Sequence, residues 1–355
     1  MNTKLIDAIA KAVLYEGYML YPYRPSSVKN RQRFNFGVLY PRSYSEAQTG
    51  ADAWSMRTEC LVQATSVPAI EVRLRFLKLV ARTVRELGKL VPAQPPEGES
   101  ASAFKLDRVA APWQEAIECE VTVPALNLDA LAASPVEWKF AFSANEETEI
   151  LRDASGRPAR MVDRKQESVQ GVIEVKAECA ATGIFKVQVL VKNLTLLDDS
   201  LLDKKNGQIS RNSALMRSLV SAHTLLGVQH GQFVSLLEPP EDLKDLATSC
   251  QNIGTWPVLV GGEAERDTML SSPIILYDYP QIAPESPGDL FDGTEIDEIL
   301  ALRIMTMTDE EKREMRNTDD RARKILERTE ALPIEQLAKL HGTMRELRSW
   351  KEETP

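Results

Sequence analysis

Between residues 53 and 195 the chain alternates apolar and polar side chains with a period of two, the signature of strands with one face buried. Ile70, Val72, Leu74 and Phe76 alternate with Glu71, Arg73 and Arg75. Ile117, Cys119, Val121 and Val123 alternate with Glu118, Glu120 and Thr122. Val136, Trp138, Phe140 and Phe142 do so less cleanly against Glu137, Lys139 and Ala141. Ile173, Val175, Ala177 and Cys179 lead through Thr182 and Gly183 into Phe185, Val187, Val189 and Val191, which predicts a hairpin. Residues 92–108 read as an exposed loop and residues 153–166 as a further loop or hairpin. Several one-faced strands with no helix of comparable strength between them predict an antiparallel sandwich or barrel.

The flanks follow helical spacing. Leu5, Ile6, Ile9, Val13 and Leu14 predict an amphipathic helix within residues 2–20. Leu215, Leu219, Ala222, Leu225 and Leu226 predict one over 212–226, ended by Gly227 and followed by strands at 232–237 and within 253–262. Ile274–Tyr277 reads as a short strand. Thr294 with Asp297 resembles a cap, and Thr308 with Glu311 forms a capping box opening a helix over 309–332. That helix is so polar that it is expected to project or to bind something. A last helix starts at Pro333 and runs through Leu337, Leu340, Met344 and Leu347. The expected fold class is α+β: a central antiparallel β-sandwich-like body with an N-terminal helix and a C-terminal helical extension. It divides into 1–50, a β-rich 51–262 with the inserted helix, and 263–355.

Two stretches carry more pattern than a connection needs. Six of the eight tyrosines lie between Tyr15 and Tyr44, with Arg24, Lys29, Arg31, Arg33 and Arg42 and no acid between Gly17 and Ser45. Such a stretch suits three uses: core aromatics with cations facing water, a protein-binding surface, or stacking and neutralisation of a nucleic acid strand. A net charge of −9 ranks the first two above the third. The second stretch, Pro273 to Glu311, holds Pro280, Pro284 and Pro287, which fix φ and remove backbone donors. A loop shaped in this way suits docking as well as a packed crossover. The candidate partner-binding residues are Tyr21, Tyr23, Arg24, Arg31, Arg33 and Tyr40 in the first stretch, and Tyr277, Tyr279, Asp289, Phe291 and Asp292 in the second.

Other chemistry is thinly signalled. Cysteines 60, 119, 179 and 250 form no C-x-x-C pair, and Cys119 and Cys179 fall on the apolar side of their strands. His223 and His230 stand seven apart, on one face of the expected helix. The acids Asp289, Asp292, Glu295, Asp297 and Glu298 fail as a calcium loop, because Gly293 at the sixth place puts Gly288 where the first aspartate belongs. They suit a helix N-terminus instead. No G-x-S-x-G or phosphate-loop pattern occurs, and no catalytic residue, metal or cofactor is assigned. Residues 285–355 hold 18 acids against 12 bases, which argues against nucleic acid at that end. Asp7, Lys11 and Glu16 interrupt the first apolar run as a signal peptide would not, and no apolar run reaches 18 residues, so a cytoplasmic protein without membrane insertion is expected.

YEGYMLYPYRPSSVKNRQRFNFGVLYPR near the start and SSPIILYDYPQIAPESPGDLFDGTEIDEILALRI near the end resemble a little-characterised bacterial family associated with gene clusters for nickel–iron hydrogenases. The resemblance implies an accessory or assembly protein, chaperone- or scaffold-like, whose partner is a hydrogenase subunit or maturation factor. It implies no catalytic residues, and a homo-oligomer is compatible with it. Two alternatives stand beside it. One is an enzyme using carboxylates of 289–298 with arginines of 24–42; the other is single-stranded nucleic-acid binding by residues 15–44.

Overall fold

The structure, a computed structural model, describes residues 3–48, 50, 52–87, 106–109, 113–153, 155–202, 208–262, 265–282, 290–291 and 297–333. It is an α+β fold whose body is a large antiparallel sheet. The chain forms α1 (Thr3–Tyr15), α2 (Arg42–Ala47), β1 (Ser55–Leu87), β2 (Leu106–Val109), β3 (Trp113–Asn127), α3 (Leu128–Ala133) and β4 (Val136–Phe142). The hairpin β5 (Asn145–Arg152) and β6 (Pro158–Gln166) follows, then the hairpin β7 (Val169–Ala181) and β8 (Ile184–Asn193). Next come α4 (Arg211–Leu215), β9 (Val220–Phe233), α5 (Lys244–Thr248), β10 (Trp256–Leu259) and β11 (Thr268–Ser272). The last described elements are α6 (Asp297–Met305), α7 (Asp309–Arg316) and α8 (Asp320–Glu330).

Two compact units are present: Met1–Glu16 with Phe34–Gln281, and Gly17–Arg33 with Ile282–Pro355. The first is built on β1, which runs in the order β10-β11-β9-β1-β8-β7-β4 and also pairs with β2, β3 and β6. Residues 55–63 of β1 pair with β8 and residues 69–82 with β3. Between them the register with β9 slips, from Ala64 to Ala69, and Pro68 sits in the slip, where its missing N–H costs no ladder bond. Phe140 and Phe142 of the marginal strand β4 reach Phe76 in the middle of β1, with ring centroids 6.2 and 5.5 Å apart. The enclosed core gathers Val72, Leu74, Cys119, Val121, Ile173, Val175, Val187 and Leu226. Outside it, Ile6, Ile9, Ala10 and Val13 of α1 cover Leu225, Val258, Val260 and Leu270.

Several local expectations are corrected. Residues 220–226 are strand, with helix only at Arg211–Leu215. In β9 the run from Val220 to Leu226 is buried without interruption, because one face meets the sandwich core and the other lies under α1. A strand covered on both faces loses its period of two and reads like a helix. His223 and His230 therefore do not share a helical face: His223 is fully buried, and His230 is exposed with a φ of +56°. The expected strand at 232–237 is only the end of β9, at Phe233. Residues 106–108 belong to β2, whereas 92–105 lie outside the described residues. Cys119 is buried as expected, but Cys179 is exposed, because β7 runs past the core at that end.

In the second unit the capping box is present, with Glu311 N–H donating to Thr308 Oγ1 at 3.3 Å and Thr308 N–H to Glu311 Oε2 at 2.9 Å. The single helix expected over 309–332 is two. Asp319 starts the second by accepting the Ala322 N–H at 2.8 Å. Neither projects: Met315, Ala322, Ile325 and Leu326 are fully buried, and α8 packs against both α6 and α7. The Thr294 cap and the helix from Pro333 onward fall outside the described residues. Among those described, no helix is long and apolar enough to cross a membrane.

Candidate docking surface

After β11 the chain makes a strap, residues 273–281. The expected strand at Ile274–Tyr277 is absent, since the pairing strand ends at Ser272, yet its alternation has a use. Ile274 and Leu276 pack on the cluster beneath α1. Asp278 then clamps the strap: its Oδ1 accepts the Leu259 N–H at 2.7 Å and its Oδ2 accepts the Ser235 hydroxyl at 2.5 Å. Tyr279 N–H donates to the Leu259 carbonyl at 2.8 Å. Leu259 lies in β10, a margin of the sheet, so these bonds satisfy the groups another strand would take. Pro257, the other residue of that phase, has no N–H to satisfy. On this fixed support Ile275 is 74% exposed and Tyr277 86%.

Where the strap begins, Pro273 closes a groove of about 310 Å³ lined by Phe36, Tyr40, Asp52, Arg211 and Trp256. Gly37 forms its floor with a φ of +53°, and a Cβ there would come within 2.5 Å of Pro273 Cγ. Only glycine permits both the backbone and the contact. Arg211 donates to the Phe34 carbonyl at 3.1 Å and to Asn35 Oδ1 at 2.9 Å, holding this segment against α4. The Tyr40 ring is buried against Tyr44, and burial raises its pKa, so the hydroxyl stays protonated.

In the second unit the tyrosine-rich segment is interior. Tyr18, Met19 and Tyr23 are fully buried. Tyr23 donates its hydroxyl to the Leu290 carbonyl at 2.8 Å, and the Gly17 N–H donates to the Phe291 carbonyl at 2.9 Å. The guanidinium groups of Arg33 and Arg321 both lie over the Tyr18 ring, 5.5 and 5.2 Å from its centroid, and its hydroxyl donates to Asp319 at 3.0 Å. Burial, with the Asp319 charge second, raises the Tyr18 pKa far above the tyrosine range. Arg33 also donates to the Tyr18 carbonyl at 3.1 Å. Arg24 pairs with Glu311 at 3.1 Å and Glu314 at 3.7 Å, and Arg303 lies over the half-buried Tyr21 ring.

Of the sequence candidates, Tyr23, Arg33 and Tyr40 are buried, and Tyr21, Arg24, Tyr279 and Phe291 are half-buried. Tyr279 packs its ring on the core. Tyr277 is fully presented to solvent. Asp289, Asp292 and the Arg31 side chain lie outside the described residues. The two quoted stretches do meet, at Gly37–Pro273 in the first unit and at Tyr23–Leu290 and Gly17–Phe291 in the second. Ile275, Asp278, Arg211 and Trp256 escaped the sequence reading. The uninterrupted apolar run Ile274-Ile275-Leu276-Tyr277 was the available signal for Ile275, since an extended segment lying on one surface leaves every second residue outside; nothing local marks the others. Among the described residues no three His, Cys, Asp or Glu side chains are grouped to hold a metal ion. No protein-family model matches the chain, and no curated protein matches it.

Proposed function

We propose that this is a non-catalytic binding protein that acts in the assembly of a nickel–iron hydrogenase, in the cytoplasm, with the strap as its docking element. One observation carries the docking reading: Ile275 and Tyr277 stand in water on a segment whose alternate residues Ile274 and Leu276 are half-buried on the cluster under α1 and whose main chain is clamped by Asp278. Large apolar side chains on a rigid support make binding anchors that lose little conformational entropy on association. The hydrogenase context rests on the resemblance of the two stretches, and their convergence at Gly37–Pro273 supports treating them as one feature. The rival readings gain less. Arg24 and Arg33, needed for a carboxylate–arginine site or for nucleic acid, are engaged within the fold, and most aromatics of 15–44 are buried.

The test is affinity capture of the tagged protein from its native host under hydrogenase-expressing conditions, beside an Ile275→Asp/Tyr277→Asp variant. The expected result is recovery of a hydrogenase subunit or maturation factor by the wild type, reduced at least about tenfold in the variant, in keeping with loss of two central anchors. Recovery of no such protein sinks the hydrogenase assignment, and equal recovery by the variant sinks the strap as the docking element.

A further inference from the structure

The sheet treats two of its margins differently. At β10 the outer edge is blunted by Pro257 and by the Asp278 clamp. At β4, the other end of the strand order, neither device is present. Among the described residues β4 pairs only with β7, in unbroken register from Val136↔Val175 to Phe142↔Val169, with no bulge and no proline. Among the described residues no main-chain or side-chain group bonds across its outer edge, and Glu137, Trp138, Lys139 and Ala141 are exposed. A straight edge of seven residues left open in this way is a template for one more strand.

Its sequence says which strand fits. A partner must keep apolar residues on the inward face, so only registers that match in phase are allowed. With antiparallel β4 of a second copy centred on Trp138, Glu137 faces Lys139 of the second copy, and the twofold axis repeats that pair. Val136 faces Phe140, and the two Trp138 rings, each 39% exposed, meet at the axis. Moving the register by two residues either way sets Lys139 on Lys139 or Glu137 on Glu137. The order Glu-Trp-Lys therefore selects one alignment. The fully exposed β5 lacks this property: centred on Thr148, it would oppose Glu147 and Glu149. We propose that the protein self-associates as a twofold dimer through β4, joining two sheets into one. Such an interface is isologous and closed, so it stops at two copies.

Sedimentation of the purified full chain over a dilution series tests this, with Glu137→Lys and Lys139→Glu made singly and circular dichroism checking that each folds. The wild type is expected to dimerise reversibly. Each single variant places like charges opposite one another twice and is expected to weaken the dimer at least about tenfold. Mixing the two variants restores both opposite-charge pairs, so a heterodimer of near wild-type affinity is expected. A wild type that stays monomeric, a dimer indifferent to both substitutions, or a mixture that fails to associate would each overturn the proposal. These outcomes do not depend on the strap or on hydrogenase proteins.

Discussion

His223 is a neutral imidazole where a charge has no room. It is fully buried under α1, its Nδ1 is 3.0 Å from the Ser221 carbonyl, and its Nε2 has no partner. Burial depresses its pKa to about 4, the Ser221 bond offsetting part of the effect and the Arg75 charge adding to it. The ring is therefore neutral in both folded and unfolded chains above pH ~6.5. As pH falls below that, the unfolded chain binds a proton that the folded chain refuses, so stability declines until about pH 4, where the folded ring protonates too. Between pH 7.5 and 5 this one residue should remove about 2 kcal/mol of unfolding free energy. Urea titrations of wild type and His223→Gln across that range check it. A wild-type decline no steeper than the variant's would refute the assignment. Sequence offered no route to this residue, because its burial follows from α1 lying over β9, a contact made across some two hundred positions.

At the scale of elements, Asp278 does the work of a missing strand. Asp278→Ala would leave the Leu259 N–H and the Ser235 hydroxyl without their acceptor, at a cost of about 1–3 kcal/mol. The expected signature is local: faster hydrogen exchange at the Leu259 and Tyr279 amides, with β1 unchanged, read by exchange mass spectrometry. Uniform acceleration over the sheet would mean the clamp stabilises more than the margin. The elements themselves were legible where one face meets water. The alternation of Ile70–Phe76, Ile117–Val123 and Phe185–Val191 marks β1, β3 and β8 because their polar faces remain outside. It failed at β9, which has no such face, and at Asn317–Asp319, where a cap sits within a polar run and charge gives no warning of a helix end.

At the scale of the whole molecule, each unit is made from pieces remote in sequence. The stretch from Tyr15 to Tyr44 reads as one aromatic, basic segment, yet residues 17–33 belong with the C-terminal helices and residues 34–44 with the sheet. No periodicity carries that division; it rests on contacts such as Tyr23–Leu290 and Arg24–Glu311. Tyr23→Ala removes a fully buried ring and its bond to the Leu290 carbonyl, which should destabilise the second unit by about 3–5 kcal/mol. Loss of protection at α7 and α8 amides in native-state exchange, with β1 amides retained, is the expected observation; unaltered α7 and α8 would refute it.

The same arrangement sets an order of events during synthesis. Tyr18 and Tyr23 are synthesised long before the groups they bond, the Leu290 carbonyl and the Asp319 carboxylate at the start of α8. β1 waits in a similar way for β9. Until those later segments leave the ribosome the nascent chain carries an unburied aromatic cluster, and until β9 follows, the edge of β1 over residues 62–77 stays unpaired. These apolar surfaces therefore stay uncovered until segments far along the chain have emerged.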